Sequence, residues 1–455
     1  MGIKHRLIIL NFFQFFVWGS WLLTIGAYWF QTKHWSGTEF GAIFSTMGIA
    51  SLFMPAIAGI IADRWVNAER LYGSFHIMGG IILFLVPLMK NPSAMFWIML
   101  VNMMFYMPTI ALAITVSYSA MKSRGMDIVK EYPPIRVWGT VGFIVALWII
   151  SLTGLETSAA QFYVASAASL FLGIYSFTMP ACPPLGHGHQ KSLISGLGLD
   201  AFILFKNVRM AVFFIFAMLL GASLQLTNAY GDTFLHDFAK FPEYKDLIAV
   251  KFPAIIMSIS QISETLFILT IPFFLRRFGI KKVMLMSMIA WVLRFGLFGI
   301  GNPAGGLWII ILSCIIYGMA FDFFNISGSL YVETQCDSAM RARAQGLFMM
   351  MTNGFGAFLG SRISGILIDK YYTIRFFDLQ KLADYFHTSP KVDWIQKLVL
   401  ENKILKNGLL QEPIKIIEWH GVWVAFAGYA VVVAILFAIL FRHKHNPKDI
   451  QVLPQ

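Results

Sequence analysis

Long apolar runs separated by short polar connections alternate along almost the whole chain. Most runs are about 20 residues long, which is the length that an α-helix needs to cross the hydrocarbon core of a bilayer. The pattern predicts twelve such helices, at roughly 7–30, 40–61, 71–89, 95–118, 136–154, 161–180, 210–230, 253–275, 282–300, 306–333, 343–368 and 420–441. The predicted fold class is therefore an all-α membrane protein with twelve transmembrane helices.

A polar stretch at 181–209 divides the predicted helices into six and six. The spacing Gly-x2-Leu-x4-Ala-Tyr, which begins at Gly19, occurs again from Gly221. Internal repeats are typical of transporters in which two helical bundles enclose a site near the middle of the membrane. We predict an N-terminal six-helix bundle at 1–180, a cytoplasmic linker at 181–209 and a C-terminal six-helix bundle at 210–445.

The segment 369–419, between predicted helices 11 and 12, is long and polar for a connection. Its residues Leu379, Leu382, Tyr385 and Phe386 have helical spacing and predict a short amphipathic helix. We interpret the segment as an extracytoplasmic insertion that forms a helical cap and takes no part in transport.

Composition and charge exclude a water-soluble protein and a nucleic-acid-binding protein. The 455 residues are 58% hydrophobic and 13% charged, whereas soluble proteins carry roughly 25% charged residues. The net charge of +12 arises from Lys and Arg residues that cluster in short connections between the apolar runs. Because most of them fall at the termini and in the even-to-odd connections, we predict that both termini are cytoplasmic, in the cytoplasmic (inner) membrane. The first apolar run is too long for a signal peptide and is predicted to remain as a membrane helix.

The sequence contains no pattern that predicts an enzyme or a cofactor. Cys182, Cys314 and Cys336 form no disulfide framework and no paired metal spacing. Cys182 lies near His187 and His189, which we interpret as a polar loop rather than a metal site. Since metalloprotease, nucleophile-elbow and phosphate-loop motifs are absent from the sequence, a membrane enzyme or a sensor is the least favoured class.

Ionisable residues within the predicted helices are the first candidates for function, because each costs roughly 2.5–3.5 kcal/mol at the centre of a membrane helix. These residues are Arg136, Glu264, Arg294, Asp322 and Arg362. Arg294 and Arg362 have no polar partner on the same helix face, which favours structural pairing for both.

Polar and aromatic side chains form stripes on predicted helices five, seven, eight and ten. The stripes are Arg136, Thr140 and Phe143; Gln225 and Asn228; Gln261 and Glu264; and Tyr317 and Phe321, with Asp322 adjacent. Amides, carboxylates and aromatic rings suit a sugar-like or nucleoside-like solute. Two alternatives stay open: the amides only join neighbouring helices, or Arg136 lies at a helix start after Pro133 and Pro134, near the membrane surface.

The two buried carboxylates also suggest a coupling mechanism. A carboxylate shielded from water binds a proton more readily, and an approaching arginine opposes that binding. Movement of a carboxylate relative to Arg136 would therefore switch its proton occupancy.

The sequence around these residues resembles the nucleoside:proton symporter family of the major facilitator superfamily. The matching segments are WGSW (18–21), GIIADRW (59–65), GMDI (125–128), PPIRVWGTVGF (133–143), SISQISETLFILTIPFFL (258–275), FDFFNISGS (321–329) and MTNGFG (351–356). The resemblance implies proton-driven nucleoside uptake by alternating access, with the four stripes forming the substrate site. We expect Glu264 and Asp322 to couple protons, and we expect a monomer without a cofactor.

Two further expectations follow from the resemblance. The GIIADRW segment, with Arg70, is similar to the cytoplasmic gating motif of the superfamily, in which Asp63 and Arg64 would be ion-paired across the bundles. The segment 369–419 is far longer than the connection that the resemblance leads us to expect. A proton symporter of a sugar or another polar solute, with the same fold, is the alternative hypothesis.

Overall fold

The first half of the chain forms six long helices. The structure, a computed structural model, describes residues 2–184, 199–336, 338–400 and 409–443. The helices of the first half are α1 Ile3–Gly19, α2 Gly37–Arg64, α3 Ala68–Leu85, α4 Pro92–Lys122, α5 Ile128–Leu152 and α6 Ala160–Ser176. Ser36 and Glu39 form a capping box that fixes the start of α2. Each of the first six predicted spans is confirmed as a helix, although α1 ends at Gly19, about ten residues early. After a break, a short helical turn at Ile25–Ala27 and a π-helical turn at Tyr28–Thr32 cover the rest of the first span.

The second half repeats this arrangement. Its helices are α7 Val208–Asp237, α8 Pro253–Ile268, α9 Ile271–Ile300, α10 Leu307–Gln335, an interrupted helix α11, and α12 Trp419–Leu440. Helix α11 consists of Ser338–Met349, a π-helical turn at Met350–Gly356, and Ala357–Tyr371. In the described residues, eight helices are long and apolar enough to cross a bilayer, judged by length and composition. The other four, α1, α6, α8 and α11, are shorter or interrupted.

Gly279 separates the eighth and ninth membrane helices. It lies inside the bounds of α9, but its φ of 76° and ψ of 167° are not helical. Only glycine adopts this region without strain, because it has no Cβ. The residues up to Phe278 therefore extend α8, and the membrane-crossing part of α9 begins at Ile280, close to the predicted boundary.

Packing follows the predicted division into two bundles. In the first half α1 packs on α5, α2 on α4 and α3 on α6, and in the second half α7 packs on α11, α8 on α10 and α9 on α12. The halves meet where α2 packs on α11 and α5 on α8. The domain boundaries stay predictions, and residues 185–198 of the predicted linker, with His187 and His189, lie outside the described residues.

The expectation that the segment between α11 and α12 forms a helical cap is wrong, because the segment also contains two β-strands. Strands β1 Thr373–Asp378 and β2 Leu409–Ile417 pair antiparallel, with Thr373 opposite Ile417. They flank the short helices Leu379–Tyr385 and Asp393–Leu400. The first of these confirms the predicted amphipathic helix. Alternating apolar residues such as Phe376, Ile414 and Ile416 bury one face of the strands in a small separate core.

The two halves touch closely near the face opposite the termini, which we call the distal face. A Cβ on Gly41 of α2 would lie 2.3 Å from the Ser361 carbonyl oxygen of α11. Two turns along, a Cβ on Gly48 would lie 2.5 Å from the Phe358 amide nitrogen. At the end of the same contact, Thr38 Oγ1 donates to Asp369 Oδ2 at 2.9 Å. Such backbone contact requires glycine, and it closes the space between the halves at this face.

Candidate functional site

Arg136 lies well inside α5 and is half-buried. The helix begins at Ile128, before the two prolines, so that Arg136 is about two turns from its start. Its guanidinium lies 4.1 Å from the centre of the Phe15 ring, in cation–π contact with α1. This position favours a role inside the bundle over the interfacial alternative. Thr140, one turn further along, is half-buried, and Phe143 is buried where its backbone meets Gly19.

The amide side chains of α7 and α8 differ in burial and in their hydrogen bonds. Gln225 is buried, and its Oε1 has no hydrogen-bond partner in the part of the chain that the structure describes. Asn228, Gln261 and Glu264 are half-buried. Glu264 on α8 interacts electrostatically with Arg136 on α5, which brings together charges from the two halves.

The α10 stripe joins the same group. The Tyr317 and Phe321 rings stack with centres 6.3 Å apart and planes 9° from parallel. The Tyr317 hydroxyl lies beside the Gln261 amide. Asp322 is buried and interacts with Glu264, and its Oδ2 has no hydrogen-bond partner among the described residues. Arginine, carboxylates, an amide and stacked rings from α5, α8 and α10 thus interact with one another across the two halves. The proposed membership of Gln225 and Asn228, on α7, in the same site stays a prediction.

A cavity beside this group shows residues that the sequence interpretation missed. Its volume is about 80 Å³, it is partly open to solvent, and Phe321 is the predicted site residue in its lining. The lining also includes Trp291, Asn325 and Asn353. Asn325 lies one helical turn after Phe321, and this spacing could have identified it.

A buried polar network behind Arg136 was also missed. Gln14 Nε2 donates to Thr109 Oγ1 at 2.9 Å, and Tyr72 donates to Gln14 Oε1 at 2.7 Å. The Tyr106 hydroxyl donates to the Gln14 carbonyl at 2.8 Å, and His76 Nε2 lies 2.9 Å from Gln14 Oε1. The sequence signal for this network is Gln14, an amide within the apolar run at the start of the chain. The network joins α1, α3 and α4 and holds the wall against which Arg136 rests.

The remaining charged residues have other partners, although the Arg294 guanidinium lies 5.3 Å from the centre of the Tyr317 ring. Arg294 is fully buried, donates to Ser313 Oγ at 3.4 Å and lies 4.2 Å from the Phe298 ring centre. Arg362 is half-buried on α11. Asp63 is exposed at the end of α2, and the structure shows no ion pair between it and another described residue. Within the described part of the chain, Asp63 therefore does not form the expected cross-bundle ion pair in this conformation.

Residues 1–389 match the model of the family described as Nucleoside H+ symporter. The chain belongs to this family. The symporter is 49% identical over 452 residues to the xanthosine permease of Escherichia coli K12, with 99% of both chains covered. It is 48% identical over 446 residues to the nucleoside permease NupG of the same organism, covering 98% of this chain and 97% of NupG.

The symporter also shares the fold of a solved relative. The crystal structure of NupG matches with a TM-score of 0.82 at 46% identity, covering 98% of this chain and 100% of the other. The protein is therefore an integral membrane protein with the major facilitator superfamily fold, as predicted. The family match ends at residue 389, within the segment that contains β1 and β2.

Proposed function

We propose that the symporter takes up nucleosides together with protons across the cytoplasmic membrane by alternating access. Its family and its two permease relatives support this substrate class. The binding residues we propose are the four stripes, Arg136, Thr140, Phe143, Gln225, Asn228, Gln261, Glu264, Tyr317, Phe321 and Asp322.

The unpaired buried atoms carry the proposal. Buried polar atoms in proteins are nearly always hydrogen-bonded, but Gln225 Oε1 and Asp322 Oδ2 are not bonded to any described residue. A ligand with hydroxyl and N–H donors, such as a ribose and a base edge, would satisfy them. The stacked Tyr317 and Phe321 rings add a flat apolar surface on which a base can pack.

The positions of the carboxylates support the proposed proton coupling. Glu264 belongs to the second half, and Arg136, with which it interacts electrostatically, belongs to the first. Near the arginine the carboxylate favours its charged form, and when the halves move apart it loses this partner and favours the neutral form. Asp322, next to Glu264, shares the proton because two buried carboxylates repel each other when both are charged.

We propose that both termini are cytoplasmic, which makes the distal face extracytoplasmic. The distribution of Lys and Arg supports this orientation. The close contact of α2 with α11 then represents a closed outer gate. In this arrangement Asp63 and Arg64 lie at the cytoplasmic end of α2, where gating contacts form in the alternate state. We propose that the protein acts as a monomer in the lipid bilayer.

Uptake by proteoliposomes tests the proposal. With an imposed inward proton gradient, we expect accumulation of labelled nucleoside above equilibrium, and a panel of sugars as competitors should have no effect. Glu264→Gln and Asp322→Asn should abolish accumulation, whereas Asp246→Asn, at an exposed ion pair with Lys251, should not. Accumulation of a sugar instead of nucleosides would support the alternative substrate class. Full proton-driven accumulation by both carboxylate variants would remove these residues from the coupling role.

A further inference from the structure

A second group of ionisable side chains lies at the distal face, away from the substrate residues. Glu156, in the connection after α5, belongs to the first half, and Asp232 and His236 lie one turn apart on α7. All three are buried, and one ligand atom from each lies within 4.8 Å of the others. The proposed transport mechanism uses none of them.

The two carboxylates of the cluster differ in their partners. Glu156 Oε2 contacts His236 Nε2, and Glu156 Oε1 accepts the Ala254 N–H at 3.3 Å, at the start of α8. Asp232 is only 1% exposed, yet neither of its carboxylate oxygens has a hydrogen-bond partner among the described residues. A carboxylate buried in this way is costly unless a proton or a cation accompanies it.

The neighbouring acid, Asp237, is bonded to groups outside the cluster. Asp237 Oδ2 accepts the Trp419 indole N–H at 2.9 Å, and Asp237 Oδ1 forms an ion pair with Lys240 at 2.8 Å. The charges that face one another in the cluster are therefore two carboxylates and one imidazole. If all three were ionised the group would retain one negative charge, in a place that excludes water.

We propose that Glu156, Asp232 and His236 form a zinc-binding site that joins the two halves of the protein. Imidazole nitrogen and carboxylate oxygen are zinc ligands at about 2.0–2.2 Å, which places tetrahedral ligand atoms roughly 3.3 Å from one another. Asp232 Oδ2 and His236 Nε2 are 3.8 Å apart, close to this spacing. Because these two residues are four apart on one helix, α7 preforms two ligands, and Glu156 supplies the third from the opposite half.

The site couples the metal to the conformation of the transporter. All three ligands meet only while the halves are in contact at the distal face. An ion that binds this conformation more tightly than the open one shifts the equilibrium toward it. Zinc therefore acts as an inhibitor that holds the distal face closed, whichever substrate is transported.

Zinc binding by the intact purified protein tests the site. The affinity tag is removed, and His187 and His189 are replaced by Ala in every sample so that these two histidines cannot bind the metal. Titration with ZnCl2, followed by calorimetry, should show one ion per protein. Glu156→Gln, Asp232→Asn and His236→Gln should each weaken binding at least tenfold, whereas His387→Gln, at an exposed histidine, should leave it unchanged.

X-ray absorption at the zinc edge tests the same site with its three ligands intact, so the result does not depend on the folding of a variant. The expected spectrum shows nitrogen and oxygen ligands with one imidazole and no sulfur. Absence of stoichiometric binding would overturn the proposal and leave a proton-bound Glu156–His236 contact. Unchanged affinity in Glu156→Gln would overturn the link between the halves. Binding is measured without nucleoside, so failure of the proposed transport function would leave this result unaffected.

Discussion

The close approach of α2 to α11 at Gly41 predicts that one added methyl group will have a strong effect. Gly41→Ala would place a Cβ 2.3 Å from the Ser361 carbonyl oxygen and 2.9 Å from Gly365 Cα. Both neighbours are backbone atoms of α11, so neither can move away by changing a rotamer. Overpacking of this kind costs about 1–3 kcal/mol. Because the contact exists only while the distal face is closed, we expect the equilibrium to shift about 5–150-fold toward the open conformation.

Pulsed electron paramagnetic resonance measures this shift. Spin labels attached after Lys90→Cys in the first half and Lys245→Cys in the second, both exposed, report the distance across the distal face. Gly59→Ala is the matched control, since it lies on the same helix with nothing within 4 Å of the added Cβ. The reasoning is refuted if Gly41→Ala and Gly59→Ala give the same distance distribution.

Three further predictions concern binding, packing and the helix break. Gln225→Ala removes an amide from the proposed site and should weaken nucleoside affinity without lowering the melting temperature; unchanged affinity would instead favour a role in helix packing. Tyr317→Leu should lower the melting temperature, because it removes the ring that the Arg294 guanidinium faces at 5.3 Å. Tyr317→Phe keeps the ring and should not lower it. Equal melting temperatures of the two variants in calorimetry would contradict this prediction. Gly279→Ala should destabilise the protein by about 1–3 kcal/mol, because the positive φ of Gly279 strains any residue with a Cβ. Gly296→Ala, whose added Cβ has no atom within 4 Å, should be neutral. Equal effects of the two variants on thermal unfolding would contradict the proposed backbone strain at Gly279.

Local sequence patterns predicted the helices well because hydrophobic length is a property of each segment alone. Spans such as 210–230 and 420–441 overlap α7 and α12. The same-face spacing of Gln261 and Glu264 likewise depends only on helical geometry. These patterns identified the interacting residues of α5, α8 and α10, but the inclusion of the α7 amides and the roles in binding and coupling stay predictions.

Contacts between distant parts of the chain could not be predicted in this way. Glu156 lies outside the predicted spans and meets His236 only because the halves pack together. The strands of the distal segment were missed because each strand is short and its partner is more than 30 residues away in sequence, so neither gives a strong local signal. Gln14 was overlooked because a single amide in an apolar run does not reveal the three helices that it joins.

The glycine contact between α2 and α11 also bears on how fast the transporter can cycle. Ordering a long side chain costs up to about 2 kcal/mol in lost rotamer freedom, whereas glycine has no side chain to order. The surfaces around Gly41, Gly48 and Gly365 can therefore separate and rejoin with little loss of entropy on each closure. A gate that closes through backbone contacts is suited to rapid and repeated opening, because its closure depends on complementary shape and orders few side chains.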